Sequence, residues 1–269
     1  MPQFMILHLF HDLMNLYGDW ANADVLAREL RSRGYQASVE KKSAGDEIEF
    51  GRYDFIYIGS GTERSQRACM RYMERHKDAL VARIEAGTPA LATGNSHELF
   101  GRAVTGADGS RYEALGLLGF ETVQGAKRVT GDCVCTATFL RDKLIGFINR
   151  AGIGQEGMVE RPFMNELGPG ANDASASKAE GVRYKNLLGT YMTGPILVRN
   201  PPLLRYFADM LVGSNATQAD VSGAAESHPM PGPASQGASP APQRDDPFFE
   251  YQEAAYRMAL AELSARITK

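Results

Sequence analysis

The 269-residue chain is poor in cysteine, with only Cys69, Cys133 and Cys135. An odd, small and widely spaced set makes no disulfide framework, so a cytoplasmic chain is expected. Nor do these residues supply the four ligands of a tetrahedral zinc site, and no metal or other cofactor is expected. No apolar run approaches the ~18–20 residues needed to span a bilayer. Residues Met1 to Met5 lack the basic region and apolar core of a signal peptide, so membrane insertion is not expected. Charge of one sign is not in excess: 29 basic and 32 acidic residues leave a net −3. That balance excludes an electrostatic grip on nucleic acid as the main function. Hydrophobic residues at 43% and charged residues at 23% exclude a disordered or fibrous chain.

What is present is an alternation of strands and helices. Met5–Phe10, Tyr35–Glu40, Tyr53–Ile58 and Ala90–Thr93 read as strands. Val25, Leu26 and Leu30 mark a helix that stops at Gly34, and residues 64–86 carry Met70, Met73, Leu80 and Ile84 at helical spacing. This order predicts an α/β fold, a doubly wound and mostly parallel sheet of the flavodoxin-like type. After residue 115 the segments read as shorter strands, and the glycine-, alanine- and serine-rich 152–181 reads as loops. Leu203–Val212 is a helix opened by Pro201-Pro202.

Three regions are expected: a main domain over 1–213, a linker over 214–245 and an amphipathic helix over 246–269. Proline, serine, glycine and alanine fill 20 of the 30 positions 214–243, a composition too poor in large apolar groups to form a core. Asp246-Pro247 then opens a stripe of Phe249, Tyr256, Leu260, Leu263 and Ile267. Such a helix can dock on its own domain or in a partner's groove.

In a parallel sheet, ligands sit at the carboxyl ends of the strands. Two glycine-rich exits lie there. Gly59-Ser60-Gly61-Thr62 links a strand to a helix, and its backbone N–H groups suit an anion or oxyanion; a tight structural turn is the plainer reading. The segment Gly87 to Gly101 has the outline of a nucleophile elbow, in which a sharp turn lifts a serine or cysteine above the sheet. Its turn position is Gly94, which has no side chain. Ser96 is the nearest hydroxyl, but His97 beside it does not face it on a helix, so Ser96 reads first as a helix-start residue.

Five stretches carry a resemblance: Asn15-Leu16-Tyr17-Gly18-Asp19, Ile58 to Thr62, Gly87 to Gly101, Arg128-Val129-Thr130-Gly131-Asp132 and Tyr184 to Leu197. In order and spacing they resemble the GatD subunits of lipid II isoglutaminyl synthase, within the CobB/CobQ-like class I glutamine amidotransferases. The likeness runs from about Met5 to Val212. It implies a flavodoxin-like domain that hydrolyses glutamine with a Cys–His pair. The ammonia would pass to a Mur-ligase-like, ATP-dependent partner subunit that amidates the D-glutamate of the lipid II stem peptide. A heterodimer is implied, with glutamine as ligand.

The chemistry departs from that pattern. Gly94 stands at the family's cysteine position and Thr193 at its histidine position. The family's Glu-Asn-His-x-Gly stretch appears as Ile148-Asn149-Arg150-Ala151-Gly152. Glycine has no nucleophile, and a threonine hydroxyl is no base near neutral pH. Cys69 falls too early in the chain to replace the nucleophile, Cys133 and Cys135 read as small core residues, and His8 or His11 could approach the sheet edge. Arg128 matches a substrate-contacting family position, and a guanidinium suits an α-carboxylate. Expected substrate contacts are therefore Arg128, Gly59, Ser60 and Gly61. The leading expectation is a glutaminase-deficient subunit acting as scaffold or regulator in peptidoglycan synthesis. The alternatives are a hydrolase using a relocated nucleophile such as Ser96, and an amino-acid sensor without turnover.

Overall fold

The computed structural model describes residues 3–171, 178–220 and 246–267. The first half alternates as the sequence requires. Strand β1 is Gln3–Leu9, helix α1 Ala21–Ser32, β2 Gln36–Lys42 and β3 Phe55–Ile58. Helices α2 (Glu63–Met73) and α3 (Lys77–Glu85) follow, then β4 (Ala90–Thr93). The helical stretch expected over 64–86 is thus two helices, broken by a 3-10 turn at Glu74–His76.

Residues 101–180 build a second layer. Strands β5 (Ala103–Thr105) and β6 (Arg111–Glu113) precede two 18-residue strands, β7 (Phe120–Ala137) and β8 (Leu140–Gly157). Strands β9 (Phe163–Leu167) and β10 (Ala179–Glu180) complete that sheet. The chain then returns to the first sheet with β11 (Val182–Tyr184) and β12 (Leu187–Thr190). The main sheet has the order β11-β12-β4-β3-β1-β2. All its pairings are parallel except the edge pair β11–β12.

Alternation along the strands divides the core in two. Phe4 and Ile6 of β1 and Phe55 and Tyr57 of β3 face α1 and the later helix α5 (Pro201–Asp220). Leu7, Leu9, Ile56 and Ile58 face α2, α3 and the second layer. A sheet covered on both sides explains why β3 and β4 are apolar or small throughout, with every residue buried.

Two expectations need correction. Part of the 152–181 stretch expected as loops belongs to β8, β9 and β10. Gly152 lies inside β8 because a Cβ there would fall on the Tyr191 hydroxyl and 2.7 Å from Glu98 Oε1. The glycine marks a close backbone approach within a strand, not a loop. Helix α5 also continues to Asp220, into the stretch expected as linker, since no proline interrupts the chain before Pro229. The rest of that linker, 221–245, lies outside the described residues.

The last helix, α6 (Phe248–Ser264), docks on its own domain. Short helix α4 (Ile196–Arg199) meets its start, where Gln252 donates to the Leu197 and Val198 carbonyls, both at 2.9 Å. Tyr256 and Leu263 pack on Val134 of β7 and Ile145 of β8. The Tyr256 hydroxyl donates to the Lys143 carbonyl at 2.6 Å. Ion pairs Arg28–Asp246, Arg205–Glu253 and Arg266–Asp132 flank the contact. Cys133, Val134 and Cys135 are consecutive yet all buried, because α6 covers the strand face opposite the one that carries the two thiols.

Candidate active site

The elbow has the expected backbone without the expected side chain. Strand β4 ends at Thr93, Gly94 turns with φ +61°, and a 3-10 helix runs Gly94–Phe100. A sharp strand-to-helix turn of this kind is where a nucleophile elbow carries its reactive side chain. The Gly94 N–H donates to the Met192 carbonyl at 3.1 Å, which brings Thr193 beside the turn. Thr193 is spent on structure: its N–H and hydroxyl both donate to the Phe147 carbonyl, at 2.9 and 3.1 Å. Gly94 and Thr193 are both buried.

The space above Gly94 is filled by Ser60. A Cβ at Gly94 would fall on Ser60 Oγ and 2.7 Å from Ser60 Cβ. The Ser60 loop is in turn fixed from both sides. Its own N–H donates to Asp19 Oδ2, and the Gly61 N–H donates to Asn95 Oδ1 at 3.0 Å. The Ser60 and Gly61 N–H groups expected to hold an anion therefore already have acceptors within the chain. Gly59 and Gly61 are explained by close approach of the loop after β1: added Cβ atoms would strike the Met14 carbonyl and the Met14 sulfur. The Thr62 hydroxyl accepts from the Ser65 N–H at 3.0 Å and caps α2.

Ser96 is no free hydroxyl. It is fully buried and donates to the Thr93 carbonyl at 2.8 Å and the Ile58 carbonyl at 3.0 Å. His97 does not face it. The His97 Nδ1 lies 2.7 Å from the Gly94 carbonyl and its Nε2 lies 3.0 Å from Gln155 Nε2. This fits one tautomer, with Nδ1–H donating to Gly94 and Nε2 accepting from Gln155. Burial pushes the His97 pKa down to about 3, so the ring is neutral and serves as a strut under the turn.

Arg128 lies at the rim, with its side chain 40% exposed. It pairs with Glu63 at 2.5 Å and donates to Asn149 Oδ1 at 2.5 Å and the Asn149 carbonyl at 2.8 Å. Asn149 in turn donates to the Tyr17 hydroxyl at 2.9 Å. The guanidinium keeps donors to spare, but its charge already faces a carboxylate. Cys69, Cys133 and Cys135 are buried, and burial pushes their thiols upward, Cys69 to about 12. None is a thiolate at neutral pH. His8 is fully buried in β1 against the Tyr57 ring and, with its pKa lowered by burial to about 4, is neutral.

Sequence reasoning missed the polar cluster behind the elbow. Glu98 Oε2 accepts from Gln66 at 2.7 Å and Gln124 at 3.1 Å, and Oε1 accepts from the Tyr191 hydroxyl at 2.8 Å. Burial raises the Glu98 pKa, and these three donors oppose the rise. Its members come from α2, the elbow helix, β7 and the segment after β12, so no local motif announces it. Removing the acceptor strands three buried donors. Glu98→Ala is expected to lower the unfolding free energy by about 3 kcal/mol or more, and Glu98→Gln by clearly less. Urea denaturation of the two variants checks this.

Asp19 tests the electrostatics of the filled site. Burial raises its pKa from 3.8 to about 7, opposed by the hydrogen bond from the Ser60 N–H. The folded chain thus holds this proton more tightly than the unfolded chain. The contribution of Asp19 to stability is complete below its unfolded pKa of 3.8 and is lost as pH rises through about 7. Asp19→Asn is therefore expected to gain stability relative to the parent between pH 4 and pH 8, as read from paired denaturant curves at each pH.

Comparison with known proteins agrees with this architecture. Residues 5–201 match the model of the CobB/CobQ-like glutamine amidotransferase domain. The chain is 33% identical over 215 residues to the lipid II isoglutaminyl synthase (glutamine-hydrolyzing) subunit GatD of Staphylococcus aureus strain N315, covering 78% of this chain and 84% of that protein. It is 30% identical over 203 residues to the same subunit of Streptococcus pneumoniae strain ATCC BAA-255 / R6, covering 75% and 77%. A crystal structure of a glutamine amidotransferase shares the fold with a TM-score of 0.51 at 16% identity, over 77% of this chain and 98% of that one. Order of strands, elbow turn, family match and relatives converge: the chain belongs to the CobB/CobQ-like glutamine amidotransferase family.

Proposed function

We propose that this chain is a GatD-like subunit that has lost glutamine hydrolysis and supports a Mur-ligase-like, ATP-dependent partner. The pair would be a cytoplasmic heterodimer that amidates the D-glutamate of lipid II, with this subunit as scaffold or regulator. Two relatives named as GatD subunits, each matched over more than three quarters of its length, support the assignment of role. Among the described residues, no helix is long and apolar enough to cross a membrane.

One observation carries the loss of hydrolysis. Gly94 occupies the nucleophile's place, and Ser60 fills the space where a side chain would begin. Three further features point the same way. Thr193 is bonded to a backbone carbonyl, Gly61 N–H is bonded to Asn95, and Arg128 is paired with Glu63. Without a nucleophile, no acyl-enzyme forms; loss of such a group typically costs several orders of magnitude in rate. The partner would then take nitrogen from free ammonia. The geometry of Ser96 argues against a relocated serine nucleophile, since its hydroxyl is buried between two carbonyls.

Co-purification with a Mur-ligase-like partner tests the role. The expected result is a stable complex that amidates lipid II with ammonium and not with glutamine. Failure to associate with such a ligase would remove the role, and equal use of glutamine would remove the loss of hydrolysis.

A further inference from the structure

A cavity of about 330 Å³ lies away from the elbow turn, between α2, the start of α3 and β6. Small-molecule sites are concave, largely apolar and begin near ~300 Å³. The floor here is Met70, Met73, Leu99 and Leu115, each at most 9% exposed. Two methionines make such a floor adaptable in shape. Leu99 lies near the far end of the 3-10 helix that Gly94 opens, so the cavity borders that helix.

The rim is charged. Arg67, Arg71 and Lys77 line the cavity with Glu74 and Glu113. Arg67 is fixed: its Nε donates to the Tyr112 hydroxyl at 2.6 Å, its guanidinium lies 4.6 Å over that ring, and it pairs with Asp108 at 3.3 Å. Glu113 pairs with Arg111 at 3.5 Å. Arg71 and Lys77 have no ion pair among the described residues; of the two acids in the lining, Glu113 is paired with Arg111, and Glu74 has no ion pair among the described residues. An apolar floor under two uncommitted cations suits a molecule with an apolar body and an anionic head.

We propose that this cavity binds a small amphipathic anion, an aromatic or aliphatic body carrying one anionic head group. The apolar body lies on Met70, Met73 and Leu115, and the head meets Arg71 and Lys77. The proposal is independent of glutaminase loss and of the partner.

Two fluorescent probes with one ring system and different charge test it: 1-anilinonaphthalene-8-sulfonate and the uncharged N-phenyl-1-naphthylamine. The full chain is expected to bind the sulfonate saturably, one per chain, and the neutral probe more weakly. Arg71→Glu/Lys77→Glu is expected to weaken the sulfonate about tenfold or more and leave the neutral probe unchanged. Ala114→Trp, on the cavity wall, is expected to abolish both. The charge-reversed residues are exposed, so that variant keeps its fold, and circular dichroism melting verifies both variants. Non-saturable binding, or sulfonate affinity that survives charge reversal, would overturn the proposal.

Discussion

A cysteine placed at Gly94, alone or with Thr193→His, is expected to leave the chain without glutaminase activity. Gly94 has φ +61°, a region in which an L residue costs ~1–2 kcal/mol. Its new Cβ would also collide with Ser60, and overpacking of this kind costs ~1–3 kcal/mol. Gly94→Cys and Gly94→Ala should therefore each lose about 2–5 kcal/mol of stability, measurable by urea denaturation. Any side chain built on Gly94 meets Ser60 first. Any recovery of glutamate release is expected only when Ser60→Gly accompanies Gly94→Cys and Thr193→His. Even then Asn95 competes for the Gly61 N–H that would hold an oxyanion. Full activity in the single Gly94→Cys variant would show that Ser60 yields freely.

The second large effect concerns α6. Phe249 and Tyr256 are 2% and 7% exposed, and Tyr256 seals Val134 and Ile145. Aromatic-to-alanine changes at such positions cost ~3–5 kcal/mol, so Phe249→Ala and Tyr256→Ala are each expected near that range. Truncation after Asp220 should do more. It bares an apolar patch on β7 and β8, and the shortened chain is expected to self-associate in size-exclusion chromatography. A truncated chain that stays monomeric with an unchanged melting temperature would mean that α6 adds nothing to the fold.

The parallel sheet was legible because its strands alternate or run apolar at regular intervals, and helices separate them. The elbow was legible because Gly94 and Thr193 sit in a recognisable frame of neighbours. What filled the elbow was not. Ser60 and Gly94 are brought together by the pairing of β3 with β4; Asn95 reaches the Ser60 loop from the elbow helix itself, and Asp19 reaches it from the segment before α1. The Glu98 cluster was hidden for the same reason, since Gln66, Glu98, Gln124 and Tyr191 share no sequence window. In β8, glycine that signals a loop by composition serves a close packing contact. The amphipathic stripe of α6 identified a docking helix but not its site, because Val134 and Ile145 read as ordinary strand residues until the helix lies on them.

An elbow without a nucleophile is expected to be chemically silent. The most direct measurement is release of glutamate from glutamine by the purified chain, with and without its ligase partner, followed by a coupled dehydrogenase assay. The expected result is no release above the uncatalysed background in either case. Glutamate formed at ordinary enzymatic rates, about one per second or faster, would contradict it.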